Sequence, residues 1–334
     1  MRILVTGGHG FIGSNFILYL LEKYSNFEII NLDAGLIGSN NQNLDLIKNS
    51  KHYQFFNGNI NDKSLLEKII PYVEGVINFA AESHVDRSIL DSKPFLESNI
   101  MGVYTILDVI RYTNPKCKFL QISTDEVFGS LETEFAKEKY AFRPSNPYSA
   151  SKASGELIAE SYKKTYDLDI LITRCTNNFG PYQFPEKVIP KTIIRSKLNM
   201  KIPIYGSGKN IRDWIFVKDH CDAIMKVFLN GESGESYNIG GSNEITNFEL
   251  IKKILEILDK PEELIYFVED RPGHDLRYGA DSSKIRDKLG WKPQYTFEEG
   301  LKNTINWYVS NENWWKPIAT EDMLDPTPWK KFRK

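Results

Sequence analysis

Two short runs carry side chains that could do acid–base chemistry. In STDEVFG, Thr124 is followed directly by Asp125 and Glu126. In NPYSASK, Tyr148 and Lys152 are four residues apart, so on a helix they share one face. A free phenol titrates at about 10 and is a poor base at neutral pH. A lysine cation beside it favours the phenolate and makes tyrosine a usable proton acceptor. A simple dehydrogenase needs one proton acceptor and one hydride acceptor. Asp125 and Glu126 therefore imply further proton transfers. Adjacent carboxyls in a dry site should take separated pKa values, one serving as acid and the other as base.

The elements that must hold these groups are read from hydrophobic patterning. Residues 3–6, 28–32, 53–56, 76–80, 119–123 and 170–174 are short apolar runs that read as strands. Several are apolar almost throughout, as parallel strands covered on both faces are. Between them, Phe16, Leu20, Leu21 and Tyr24 recur at helical spacing, and so do Phe95, Ile100, Val103, Ile106, Leu107 and Ile110. This alternation predicts an α/β fold, a Rossmann-like doubly wound parallel sheet with right-handed crossovers. Thr124 then ends the fifth strand, and Tyr148 lies at the start of the next helix. Beyond about residue 176 the segments NNFGPYQFPEKVIP, IPIYGSGKNIRDWIFVKDH, YNIGGSNEIT and DRPGHDLRYG are rich in loops with polar and aromatic residues. They predict a smaller mixed α/β C-terminal substrate domain over the strand ends. The expected division is 1–175 for the first domain, with a return segment near 205–235, and 176–204 plus 236–334 for the second. The aromatic tail NWYVSNENWWKPI is expected to pack against the body.

A cofactor site precedes the acid–base groups. VTGGHGFIG follows the first strand and opens the first helix, with Gly7, Gly10 and Gly13 at dinucleotide-binding spacing. Glycine lets the backbone approach a pyrophosphate, and the helix N-terminus offers free N–H groups. Asp33 ends the second strand, 20 positions after Gly13, where an acid can bond the adenosine ribose hydroxyls. No Arg or Lys lies between Ala34 and Gln42 to meet a 2′-phosphate, which favours NAD over NADP.

Bulk properties narrow the class. The chain has 334 residues and a net charge of -2, which gives no overall electrostatic footprint for nucleic acid or an anionic membrane. Cys117, Cys175 and Cys221 are isolated, and the 5 histidines lack ligand spacing, so no metal site is expected. No apolar run reaches the ~18 residues of a membrane span. The N-terminus reaches glycine too early for a signal peptide, and a cytoplasmic location is expected.

The glycine pattern, Thr124 and Tyr148-x-x-x-Lys152 resemble the extended short-chain dehydrogenase/reductase superfamily. AAESHVDRSI (80–89), STDEVFG (123–129), RCTNNFGPYQFPEKVIP (174–190) and DRPGHDLRYG (270–279) resemble its nucleotide-sugar 4,6-dehydratases, most closely those acting on dTDP-glucose. The resemblance runs over nearly the whole chain, and the adjacent Asp-Glu pair is its most specific part. It implies that Tyr148 takes the 4-hydroxyl proton as C4 gives hydride to NAD, with Thr124 bonded to the same oxygen and Lys152 holding the cofactor ribose. Glu126 then takes the C5 proton and Asp125 protonates the departing 6-hydroxyl. Hydride returns to C6 and C5 is reprotonated, so NAD is not consumed. The product is a 4-keto-6-deoxy sugar of the kind that leads to deoxysugars such as rhamnose.

The same resemblance implies NAD contacts at Phe11, Ile12, Asn59, Ile60, Ala80, Ala81, Ser83, Ser98 and Asn178. It implies nucleotide-sugar contacts at Glu82, Ser83, Asn177, Asn178, Lys187, Val188, Pro203, Tyr205, Arg212, Asn247, Arg271 and His274. A diphosphate calls for such cations and amides. Ala34-Gly35-Leu36-Ile37, Asn59 and Phe128 depart from the family pattern, the first two at the adenine end. A homodimer is implied through the helices spanning 95–110 and 148–166. The residues leave thymine against uracil open, because one methyl contact is worth only ~1–3 kcal/mol. The same fold could also serve a 4-epimerase or a non-catalytic NAD-sensing module. The intact set Thr124, Asp125, Glu126, Tyr148 and Lys152 argues against the module.

Overall fold

The computed structural model describes residues 1–330. Its strands are β1 (Arg2–Thr6), β2 (Glu28–Asp33), β3 (Tyr53–Asn57), β4 (Gly75–Asn78), β5 (Lys118–Thr124), β6 (Ile170–Cys175), β7 (Asn177–Phe179), β8 (Ile202–Tyr205), β9 (Ile211–Phe216), β10 (Ser236–Ile239), β11 (Glu244–Thr246) and β12 (Ile265–Val268). Seven form one parallel sheet in the order β10-β6-β5-β4-β1-β2-β3. The order reverses between β1 and β4, which opens a crevice at their carboxyl ends.

Side-chain alternation builds a core on each face of this sheet. Ile3 and Val5 pack with Phe16, Ile224 and Phe228 on one side. Leu4, between them, packs with Ile106, Ile110 and Phe119 on the other. Burial on both faces explains why these strands read as continuous apolar runs. The fourth strand is shorter than its apolar run and ends at Asn78, whose amide bonds Gln121 and accepts from Thr6.

The chain returns to the large sheet through the helix Val217–Asn230, which packs on the helix Phe11–Lys23, and through β10. The pair Gly240-Gly241 draws YNIGG toward a loop reading, yet Tyr237–Ile239 is a buried strand paired with β6. β7, β9 and β11 form a three-stranded sheet, and β8 with β12 a parallel pair. A third core lies here, with Phe179, Ile193, Trp214, Leu301, Trp314 and Trp315, so the aromatic tail is buried.

Two local devices aim the reactive groups. Asn146 caps the helix Pro147–Tyr166, its side chain accepting from Ser149 N at 3.0 Å, while Ser149 Oγ accepts from Asn146 N, with Pro147 in the first turn. After β5, Thr124 Oγ1 accepts from Glu126 N at 3.3 Å and starts a single 3₁₀ turn, Asp125–Phe128. Among the described residues no helix is long and apolar enough to cross a membrane, and no cluster of His, Cys, Asp and Glu could hold a metal ion.

Candidate active site

The crevice holds two adjoining cavities. The larger, of about 310 Å³, runs over the ends of β1, β2, β4 and β5. The smaller, of about 160 Å³, lies between the large sheet and the small ones. Ser83, His84, Glu126, Asn177, Glu186 and Lys187 line both. All the expected cofactor residues and the reactive groups line the first. The expected sugar-nucleotide residues Val188, Pro203, Tyr205, Arg212, Asn247, Arg271 and His274 line the second.

The first cavity fits a dinucleotide. Gly7 has φ +69°, and a Cβ on it would come within 2.7 Å of Ala80 N. A Cβ on Gly13 would lie 2.3 Å from Gly7 O. Only glycine keeps the turn this tight. Asp33 is buried, accepting from His9 N at 2.9 Å, Gly35 N at 2.8 Å and Ser39 Oγ at 2.9 Å. Its carboxylate thereby ties the glycine turn to the loop 34–39, in which Leu36 and Ile37 are exposed beside the cavity. Asn59 Oδ1 accepts from Asn61 N at 2.9 Å, a local turn bond. Asn99, not singled out by sequence, grips the Glu82 backbone from both sides, at N and at O, each at 3.0 Å. Ser98 Oγ lies 3.0 Å from the same Glu82 N.

The two carboxyls of the DE pair sit in different fields. Burial raises Asp125 well above the usual carboxylate range, and Glu126 and Asp213 push it further. Burial also raises Glu126, but Arg271, Arg212 and Lys187 oppose it. Arg212 opposes the rise at both carboxyls, and Arg271 and Lys187 join it at Glu126. That separation suits a neutral acid beside an ionised base. Asp125 Oδ2 is buried without a partner in the protein, which leaves it available to a substrate hydroxyl.

Tyr148 is held as a phenol. Burial raises it well above 10, Glu126 pushes the same way, and the Thr124 hydroxyl opposes. Lys152 Nζ donates to Ile122 O at 2.7 Å, so here the ammonium is engaged with backbone. Burial lowers it to about 8, and Glu156 pulls it upward.

Around the second cavity, Arg271 Nη1 pairs with Asp86 Oδ1 at 2.9 Å, while its buried Nε has no partner. Arg212 is otherwise engaged. Its guanidinium donates to the carbonyls of Ile211, Asp275 and Leu276 and lies 4.2 Å from the Tyr278 ring centre. It staples the loop that carries Arg271 and His274. Lys187 Nζ donates to Ser83 O at 2.9 Å, and His274 Nδ1 meets Asp270 Oδ1 at 2.6 Å. The amide of Asn178 donates to Thr176 O at 2.9 Å and meets His220 Nδ1 at 2.8 Å. Sequence reading passed over Tyr278, although it lies in DRPGHDLRYG. Its hydroxyl is 2.8 Å from Asp275 Oδ2 and 3.2 Å from Glu126 Oε2. It also passed over Asp86 and Glu186. Glu186 pairs with Arg87 at 2.5 Å. The only sequence signal for these was membership of the family-like segments.

Residues 4–304 match the family model described as GDP-mannose 4,6 dehydratase. The chain belongs to the GDP-mannose 4,6-dehydratase family. A member of similar sequence, a dTDP-glucose 4,6-dehydratase of Xanthomonas campestris pv. campestris (strain B100), is 42% identical over 331 residues, covering 93% of this chain and 94% of that one. A dTDP-glucose 4,6-dehydratase of Bacillus anthracis str. Ames, solved in complex with NAD, has a TM-score of 0.90 at 45% identity and covers 95% of this chain and 99% of that chain. Another from Streptomyces venezuelae, solved with NAD bound, has a TM-score of 0.93 at 42% identity and covers 95% and 100%. The Rossmann-like sheet and the family resemblance in the sequence therefore agree with these comparisons.

Proposed function

We propose that this protein is an NAD-dependent dTDP-glucose 4,6-dehydratase, a hydro-lyase that converts dTDP-glucose to dTDP-4-keto-6-deoxyglucose. The observation that carries the reading is the position of Glu126 on both cavities, with Asp125 and Tyr148 on the cofactor side and Arg271 on the other. NAD, when bound, supplies the hydride acceptor at C4 and the donor at C6. Tyr148 Oη takes the C4 hydroxyl proton, with Thr124 Oγ1 bonded to the same oxygen. Lys152 leaves the Ile122 carbonyl to bind ribose and favour the phenolate. Glu126 takes the C5 proton, and neutral Asp125 gives its proton to the leaving 6-hydroxyl, which departs as water; C5 is reprotonated to complete the product. The unpartnered Nε of Arg271, with Lys187, suits the diphosphate.

Membership of a homodimer is part of the proposal. Leu96, Met101, Tyr104, Tyr112, Leu157 and Tyr166 are exposed apolar residues of the two helical regions expected to meet a second copy. Light scattering of wild type and Leu157→Asp tests it, the variant being expected as monomer.

The activity is tested by mass spectrometry of the purified protein with dTDP-glucose and, separately, UDP-glucose, without added cofactor. The expected result is loss of one water from dTDP-glucose and not from UDP-glucose. Loss from UDP-glucose alone would change the substrate. Unchanged mass with both, even after NAD is added, would overturn the reading.

A further inference from the structure

The last described residues form a strap behind the walls of the second cavity, which none of them lines. They run from Asp322 to a short turn, Pro328–Lys330. We propose that this C-terminal strap is a positioning element of the nucleotide-sugar pocket, in which Trp329 sets the place of Tyr205 and, through Asp86, of Arg271. The proposal rests on the functional reading given above.

Trp329 is 2% exposed, and its ring meets that of Tyr205 edge to face, with centroids 4.5 Å apart at 73°. Tyr205 lines the pocket, and its hydroxyl donates to Asp86 Oδ2 at 3.2 Å. The other oxygen of Asp86 receives Arg271. The turn itself packs on the helix Val85–Leu90, which carries Asp86 and Arg87. The turn therefore bears on two walls of the cavity at once, on one of them through the indole.

The rest of the strap holds Lys191 of the cavity wall and side chains around it, partly through its backbone. The carbonyl of Asp325 accepts from Lys191 Nζ at 3.1 Å, and that of Leu324 accepts from Arg195 Nη1. Met323 Sδ lies 3.5 Å from Arg87 Nη2. Lys330 pairs with Glu269, next to the loop of Arg271. Trp314 and Trp315 differ, because they end inside the third core. Leu324 of the strap joins that core too, but Trp329 lies outside it. An aromatic contact that fixes the Tyr205 ring before substrate arrives removes an ordering cost from binding. Its effect belongs on affinity, because Trp329 acts on the Tyr205, Asp86 and Arg271 end, while Asp125 and Tyr148 line the other cavity and Glu126 lies at the junction.

The test uses the full-length protein with Trp329→Ala, Trp329→Leu and Trp329→Phe. It measures kcat and KM for dTDP-glucose, calorimetric Kd for dTDP, and co-purified NAD. For Trp329→Ala, KM and Kd should rise on the order of tenfold, with kcat within about twofold and NAD content unchanged. Trp329→Phe should recover affinity to within about twofold of wild type, with Trp329→Leu between them. The leucine variant fills much of the space and keeps the test readable if the alanine variant does not fold. Wild-type KM and Kd in the leucine variant would overturn the proposal. So would kcat and NAD content falling in step with affinity. A wild-type protein that neither binds dTDP nor dehydrates dTDP-glucose would bring down the functional reading first, and the strap with it.

Discussion

At the cofactor end of the crevice, Gly7, Gly13 and Asp33 belong to one βαβ unit and are held by close backbone, with Ala80 after β4 closing on Gly7. At the nucleotide-sugar end, Tyr205 lies 119 residues and Arg271 185 residues from the Asp86 that both touch. The first end is shape, made by leaving out side chains. The second is charge and packing, made by bringing distant side chains together. Substitutions at the first should act by steric exclusion and at the second by lost affinity. The chemistry sits where the two meet, at Glu126, and should be separable from both.

The largest effects belong at that junction. Tyr148→Phe should lower turnover by roughly 10²–10⁴-fold while the protein keeps its NAD, measured by product formation and by cofactor released on denaturation. No reduced cofactor should form on adding substrate. Glu126→Gln should slow dehydration by roughly 10²–10³-fold and still permit oxidation at C4, so that bound NADH absorbance builds up. If Tyr148→Phe keeps near-wild-type turnover, the phenol is not the base. If Glu126→Gln shows neither slowed dehydration nor NADH, the division of labour within the pair fails.

Next in size is a change that should break only the cofactor end. Gly13→Ala places a methyl 2.3 Å from Gly7 O, against backbone that cannot yield easily. Retention of NAD should weaken by on the order of 10²-fold, while dTDP binding stays near wild type. A variant that loses both ligands equally would show that the two ends are not independent.

The contrast between the ends also explains what the sequence made legible. All six N-terminal strands, the glycine turn and Tyr148-x-x-x-Lys152 are short-range patterns, and their spacing reports their geometry directly. β10 was hidden because the strand is only four residues long and abuts Gly240-Gly241. The second cavity depends on contacts that no local period encodes. The family resemblance implied Arg212 as a substrate contact, and the fold also uses most of its hydrogens on three backbone carbonyls. Tyr278 and Trp329 carried no local signal, since an aromatic residue in a loop reads the same whether it faces a carboxylate, a pocket wall or solvent.

A smaller effect is expected from Arg271→Lys. An ammonium can still neutralise Asp86, but it loses the planar fork and the free Nε. KM for dTDP-glucose should rise on the order of tenfold with kcat little changed. A fall in kcat with unchanged KM would move Arg271 from binding to the chemistry of Glu126. Asp86 itself should report on this end through acid stability. Burial pushes it up, but His84, Arg271 and Lys191 bring it down to about 2. His84 is itself held down to about 4 by burial, so near pH 7 it is uncharged and Arg271 does the holding. A carboxyl depressed in the folded state contributes stability above its unfolded value of about 3.9, lost as pH falls toward about 2.

Asp125 has the opposite sign, and this gives the smallest and most discriminating prediction. Its folded pKa is raised by burial, Glu126 and Asp213. Above its unfolded value of about 3.9 the unfolded chain has released a proton that the folded chain keeps. Stability is therefore lost as pH rises through that window. Asp125→Asn removes the titration and keeps the shape, so it should raise stability near neutral pH by on the order of 1 kcal/mol, while dehydration slows. Denaturant unfolding of both forms at about pH 4 and about pH 8 should show the variant's advantage growing with pH. An advantage that is flat with pH would mean that Asp125 ionises freely in the folded protein. It could not then serve as the neutral acid beside Glu126, and the separation of the pair would have to come from the bound substrate instead of the protein.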